Sequence, residues 1–280
     1  MSILPAASRF LDREARLLER RLFAGDRAGV VRALRAHQND DGGFGHGLEP
    51  DKRCPASLPI DAEVAFQALA TVGAAGEDMV RAACDYLTTV TVDGAVPLAS
   101  PVIEDYPRAA HWTDWTYVPG VNPTAGLAGL LHRLGVDHPW RAEASRYCWD
   151  VIESGELPDE AHALSEVLVF LAHVPDRERA LAKAPAVIDQ LSAHESFHPM
   201  PRPGEYGLTP LQIAPTADSP WRRFFTDEQI GAHLDHLAAG QQEDGGWAVT
   251  WEPPSEASRL EWRGMVTVQA VDTLRSYRRL

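Results

Sequence analysis

The chain has little cysteine, a deficit of positive charge and no long apolar run, and each shortage removes a class of protein. Three cysteines, Cys54, Cys84 and Cys148, are scattered through 280 residues. They have neither the even count of a disulfide framework nor the CxxC spacing of a metal site, so reduced thiols are expected. Lys and Arg total 26 against 40 Asp and Glu, a formal charge of −14. Such a surface repels a phosphate backbone, and no nucleic-acid partner is expected. The longest wholly apolar run covers residues 167–172, far short of the ~20 residues that a membrane span requires. The N-terminus turns charged at Arg9 without the apolar stretch of a signal peptide. These features point to a cytoplasmic protein with no membrane span.

Strand alternation is also missing, whereas helical periodicity recurs. Over residues 8–23, Phe10, Leu11, Leu17, Leu18 and Leu22 form one apolar stripe with Arg and Glu elsewhere, the pattern of a helix with one wet face. Residues 77–90 repeat it with Met79, Val80, Ala83, Cys84 and Leu87. Residues 227–239 do so with Ile230, Leu234 and Leu237, behind a Thr226/Gln229 capping box. Between them lie stretches that are apolar almost all round, residues 61–72, 123–134, 162–174 and 264–277, which predict interior helices. The order outer, inner, outer, inner predicts an all-α chain of helical hairpins forming one domain over residues 1–280.

The string "QNDDGGFG" beginning at Gln38 returns as "QQEDGGWA" at Gln241, and such self-similarity marks a repeat architecture. Each copy follows an amphipathic stretch and precedes, after a loop, an apolar one. A fainter copy, "VDGAVPLA", spans residues 92–99. Paired glycines supply the positive φ that stops a helix, the aspartate accepts from free turn amides, and Phe44 or Trp247 drops into the seam between hairpins. The glutamine is placed to hydrogen-bond to the next hairpin. A phosphate cradle would want a strand before the glycines and Lys-Ser/Thr after them, and an EF-hand loop would want alternating oxygen ligands ending in glutamate. Neither pattern is present.

The two strong copies resemble the QW motif, Q-x-x-D-G-G-W/F, of the squalene cyclases, class II terpene cyclases and protein prenyltransferase β-subunits. That resemblance implies an α/α toroid of about five to six helical hairpins, the sixth involving the Pro-rich stretch 198–221. It also implies that the motif braces the outside while chemistry occupies a central cavity. The expected activity is metal-independent, acid-initiated cyclisation of a hydrophobic isoprenoid or polyene-type metabolite. Class II cyclases carry a D-x-D-D acid motif, which is absent here. The nearest string, Asp61-Ala62-Glu63, opens the first apolar stretch, where desolvation can keep a carboxyl neutral for proton donation. The competing reading makes Asp61 an N-cap and Glu63 a first-turn acid. Prenyltransferases hold zinc through Asp, Cys and His, but Cys84 belongs to a buried stripe and the pair His233/His236 reads as two surface residues. No metal and no cofactor is expected.

Residues 46–51, "HGLEPD", have no counterpart after the second copy, so the turn itself does not need His46, Glu49 or Asp51. An "EP" shared with Glu252-Pro253 leaves a bracing role open for Glu49. The second candidate segment, "YPRAAHWTDWTYVPGVNPTAG" over residues 106–126, crowds aromatics into a loop entering an apolar stretch. Trp112, Trp115 and Tyr117 offer ring faces to a cation or an apolar ligand, or else fill a hairpin junction. Arg108 and His111 suit an anionic group on that ligand, and Asn122 completes the ligand-binding candidates with Asp51. The catalytic candidates are therefore Asp61, Glu63, Glu49 and His46. Two alternatives stand beside the cyclase-like one: a non-catalytic toroid that binds a hydrophobic ligand or partner protein, and a carbohydrate-active α/α barrel in which Glu49 and Asp61 pair across a sugar. A hydrophobic small molecule is the expected ligand, with a partner chain or a second copy of this one as a candidate partner.

Overall fold

Apolar stripes of this kind are stable only when packed, and the fold is a set of helices laid against one another. The computed structural model describes residues 3–74 and 77–280. Among them lie α1 (Ile3–Glu14), α2 (Leu17–Phe23), α3 (Arg27–Arg35), α4 (Pro59–Thr71), α5 (Glu77–Thr89) and α6 (Val121–Leu134). The second half holds α7 (Pro139–Ser154), α8 (Ala161–His173), α9 (Arg177–Ala193), α10 (Pro210–Ile213), α11 (Asp227–Ala239) and α12 (Glu256–Ser276). The protein is all-α: among the described residues only isolated bridges occur between extended segments, all within loops. No helix is long and apolar enough to cross a membrane among the same residues.

The four apolar stretches form α4, α6, α8 and α12. Pro59 at the first turn of α4 extends that helix slightly upstream, and α12 begins at Glu256, capped by Ser255, well before residue 264. Helix α6 packs against both α4 and α8. Gly129 permits the second approach, because a Cβ there would lie 2.8 Å from the backbone of Phe170. Helix α12 packs on α1, α2 and α11, and α3 packs on α4. The largest apolar cluster draws buried residues from every helix, from Ala7 to Leu274.

One expected helix is two. The stripe over 8–23 breaks at Arg16, which takes an extended conformation (φ −60°, ψ 163°). Its guanidinium turns inward to the carbonyls of Gly47 and Leu48 at 3.2 and 2.9 Å and to the fully buried Glu19 at 2.7 Å. Those three partners take up the guanidinium where the helix is interrupted. The Pro-rich stretch yields only the short α10, whose Thr209/Gln212 capping box is complete. His233, expected at the surface, is buried, with Nε2 3.0 Å from the carbonyl of His198.

The two glycine turns are built alike. Gln38 donates to Gly42 O at 2.8 Å and, across the seam, to Met79 O of α5 at 2.9 Å. Gln241 donates to Gly245 O at 2.9 Å and to Ile3 O of α1 at 3.0 Å, so the second copy ties the last outer helix to the first. Asp41 and Asp244 accept from the amides of Gly43 and Gly246 at 2.9 and 3.0 Å. Phe44 and Trp247 are both buried. The turns differ in what holds the aspartate: Ser57 does so in the first, and a bidentate Arg263 in the second, both bonds 2.8 Å long.

Alanine at Gly42 or Gly245 would place a Cβ 2.3 Å from Ala82 O or 2.2 Å from Ala6 O, at φ +87° or +99°. Each substitution is expected to destabilise by about 2–4 kcal/mol in denaturant unfolding. Gly25→Ala, where φ is +63° but no atom lies within 4 Å, should cost only the left-handed strain of about 1–2 kcal/mol. Equal losses at all three positions would show that the backbone contacts across the seam contribute nothing.

Candidate functional site

Loop 46–53 is fastened to the N-terminal parts of α2, α4 and α12. Arg16 holds the carbonyls of Gly47 and Leu48. Asp61 Oδ1 accepts from the Glu49 amide at 2.8 Å. Arg53 reaches Glu261 at 2.8 Å and Ser258 at 2.9 Å. The loop also pairs with the aromatic segment, since Ala109 N donates to Asp51 O at 2.7 Å and Arg53 N donates to Pro107 O at 2.9 Å.

At its centre Lys52, fully buried, sits 2.8 Å from Asp61 Oδ2 and 3.2 Å from Glu49 Oε2. Burial opposes the ammonium, but Asp61 and Glu49 outweigh it and raise Lys52 above its ordinary value. Burial pushes Glu49 up to about 7, only partly offset by Lys52. Asp61 is not the N-cap of α4, a place taken by Leu58. Its Oδ2 is instead held against the Lys52 ammonium. The sequence reading missed Lys52, although its position beside three acids in "LEPD…D" is the signal: three carboxylates entering an interior require a cation.

Glu63 points the other way. Its Oε1 and Oε2 of Glu166 lie 2.5 and 1.9 Å from the point where a Cβ on Gly126 would stand, so α4 and α8 place two carboxyls together on the bare backbone of α6. Burial, and then the neighbouring Glu166, raise Glu63 well above its ordinary value, while burial takes Glu166 to about 7. Two neighbouring buried carboxyls disfavour each other's charged form. Glu166 is a single acid in an apolar stretch, invisible without the helix packing.

Asp51 occupies the outer side of the loop. It is 3% exposed and Oδ1 accepts from Trp262 Nε1 at 2.7 Å. His111 Nε2 stands 3.8 Å from Oδ2. The Trp251 indole N–H also faces Asp51 but lies outside hydrogen-bonding geometry, and it is buried with no partner among the described residues. Burial raises the Asp51 carboxyl; burial lowers the His111 imidazole, with Asp51 opposing. Around them Trp251 meets Trp262 edge to face (5.0 Å, 85°) and Tyr206 likewise (5.9 Å, 82°). Tyr206 hydroxyl lies 2.8 Å from His162 Nε2. Glu160 caps α8, bonding the amides of His162 and Ala163, and takes Asn122 Nδ2 at 3.5 Å. The site is therefore an aromatic mouth at the N-terminal ends of α6, α8 and α12, with Asp51 at its base.

Other expected residues lie elsewhere. His46 is exposed, in a left-handed conformation (φ 57°), and its Nε2 lies 2.8 Å from Asn39 Oδ1, so it braces the turn. Arg108 is spent on its own loop, with Trp112 O at 3.0 Å and Glu104 O at 3.0 Å. Trp115 is 52% exposed and bonded to His111 O, and Tyr117 is bonded to Glu104. Trp112 does lie inside, its ring 5.3 Å from Lys52 Nζ. Among the described residues no three His, Cys, Asp or Glu side chains converge as a metal-ligand set.

A concavity of about 600 Å³ lies beside Trp251 on the second glycine turn. It opens to solvent, and both of its lining arginines are already paired, Arg263 with Asp244 and Arg259 with Glu256. Between α2, α4 and α12 a small cavity of about 80 Å³ is lined by Leu22, Val64 and Met265 together with Gln67, Gln269 and Asp272.

No protein-family model matches the chain, and no curated protein matches it. Its fold is similar to that of a protein from Actinoplanes known from a crystal structure, with a TM-score of 0.58, 19% identity, and coverage of 98% of this chain and 99% of that one. At that identity the likeness speaks for the fold alone.

Two measurements check the buried charges. Lys52→Met leaves Asp61 and Glu49 without a cation and should cost about 3–5 kcal/mol of stability. A carboxyl whose folded pKa exceeds its unfolded value contributes stability that is present at low pH and lost as pH rises through the folded value. With Glu49 at about 7, wild type should therefore lose stability relative to Glu49→Gln between about pH 5 and 7.5. The difference is the quantity to read, because His132 and His173, lowered to about 4 by burial, work in the opposite direction. A difference that does not vary with pH would refute the assignment.

Proposed function

We propose that the chain is an α/α toroid enzyme that binds a small molecule in the aromatic mouth and transfers a proton there. The toroid rests on the packing order of α4, α6 and α8 and on Gln241, which joins the last outer helix to α1. The chemistry rests on one observation: the buried Asp51, anchored by Trp262, stands 3.8 Å behind the half-exposed imidazole of His111. That is the arrangement of a general base backed by an orienting carboxylate. Lowered by burial, His111 is neutral near pH 7 and able to accept a proton. Asp51 fixes its ring and stabilises the imidazolium that forms. Contacts of this kind tighten when a ligand arrives.

Cyclisation of a long polyene fits less well than the sequence alone suggests. Asp61 is ion-paired, and the interior cavity of about 80 Å³ is lined in part by Gln67, Gln269 and Asp272. The paired-carboxylate sugar hydrolase reading weakens as well, because Glu49 and Asp61 converge on one lysine instead of facing each other across a substrate. A small ligand with an apolar face and polar groups suits the mouth.

The test is a ligand screen by tryptophan fluorescence followed by kinetics on any compound turned over. Asp51→Asn and His111→Gln should each lower kcat at least about 100-fold, with thermal midpoints close to wild type for the half-exposed His111→Gln. Turnover that survives both substitutions would move the chemistry away from the mouth, and the Glu63–Glu166 pair would be the next acid to examine.

A further inference from the structure

We infer that the mouth selects an organic ammonium ion, an inference that rests on the mouth being the ligand site. Trp251 stands nearly perpendicular to both Trp262 and Tyr206, at 85° and 82° with centroids 5.0 and 5.9 Å apart. Three neighbouring rings thus gather at this corner, and the electron-rich face of an aromatic ring attracts an alkylammonium group. At the base of that corner lies a carboxylate instead of a neutral donor. Asp51 Oδ1 takes the Trp262 N–H at 2.7 Å, and Oδ2 lies 3.8 Å from the half-exposed His111 Nε2.

Glu160 adds a second carboxylate, and after burial it and Asp51 raise the Tyr206 phenol. The nearby cations are committed elsewhere: Lys52 to Asp61 and Glu49, Arg108 to loop carbonyls, Arg53 to Glu261, and Arg259 and Arg263, which share a concavity with Trp251, to Glu256 and Asp244. A neutral sugar or an isoprenoid would find the aromatic walls but would leave Asp51 desolvated and without a counter-charge. An anion would be repelled. A bound ammonium neutralises Asp51 and covers the apolar ring faces, so it satisfies both features at once. The formal charge of −14 adds long-range attraction for cations.

Choline and its neutral isostere 3,3-dimethyl-1-butanol separate charge from shape, and intrinsic tryptophan fluorescence of the full chain reads the mouth. Choline should bind saturably and about tenfold or more tighter than the isostere. Asp51→Asn should remove most of that preference, and Trp251→Leu should weaken choline by a similar factor. Trp262→Phe keeps the ring while removing the donor, and should retain the preference. Thermal unfolding checks that each variant is folded, and Trp251→Phe serves if Trp251→Leu is not. Equal binding of the two probes, both lost in Trp251→Leu, would overturn the ammonium class while keeping the mouth as a ligand site. Absence of any response from either probe or from the wider ligand screen would overturn both readings. Choline binding unaffected by Asp51→Asn would also overturn the inference.

Discussion

A single ammonium in an apolar interior organises the functional end of this protein. Lys52 is fully buried between Asp61 and Glu49, and without it those carboxylates would have no reason to leave water. Because Asp61 also takes the Glu49 amide, the pair fixes the backbone of loop 46–53 against the first turn of α4. The neighbours of Lys52 in sequence are then carried outward on either side. Asp51 faces Trp262 and the mouth, while Arg53 faces Ser258 and Glu261 on α12. The loop bridges helices far apart in the chain by means of charge, where most of the fold is bridged by apolar contact.

Excess negative charge in this region has a consequence for protonation. Burial is the main force that takes Glu49 to about 7, with the neighbouring Asp51 and Asp61 adding to it and Lys52 only partly offsetting it. Burial likewise raises Glu63 and Glu166, Glu63 further because Glu166 lies beside it. Both arrangements depend on close approach: Lys52 must reach two acids at once, and Gly126 must lack a side chain for the carboxyls to meet on α6.

The glycine turns show how a local rule serves a long-range end. Each holds a left-handed glycine, Gly42 or Gly245, in the turn that follows a helix, the helix itself ending in right-handed conformation at Ala36 or Gly240. Each also sends a glutamine across to the next outer helix, to Met79 in one case and Ile3 in the other. The second of these joins the two ends of the chain, so that a motif readable over eight residues secures a contact separated by more than two hundred.

Helical content, the alternation of wet and apolar helices, the capping box at Thr226 and the role of the two glycine turns were legible in the sequence, because each depends on residues within a few turns of one another. Of the residues singled out in the sequence, Glu49, Asp51, Asp61, Glu63, His111 and Trp112 lie in or beside the buried network. Their contacts were not legible. Asp61 meets Lys52, which folds back onto it, and Arg108, His46, Trp115 and Tyr117 bond within their own loops. Trp251, Trp262, Tyr206 and Glu166 come from segments up to two hundred residues from Asp51 and Glu63. Sequence spacing determines which side chains share a helix face. Which faces meet, and therefore which carboxyl keeps its charge and which keeps a proton, is decided only when packing sets the distances over which burial and Coulomb forces act.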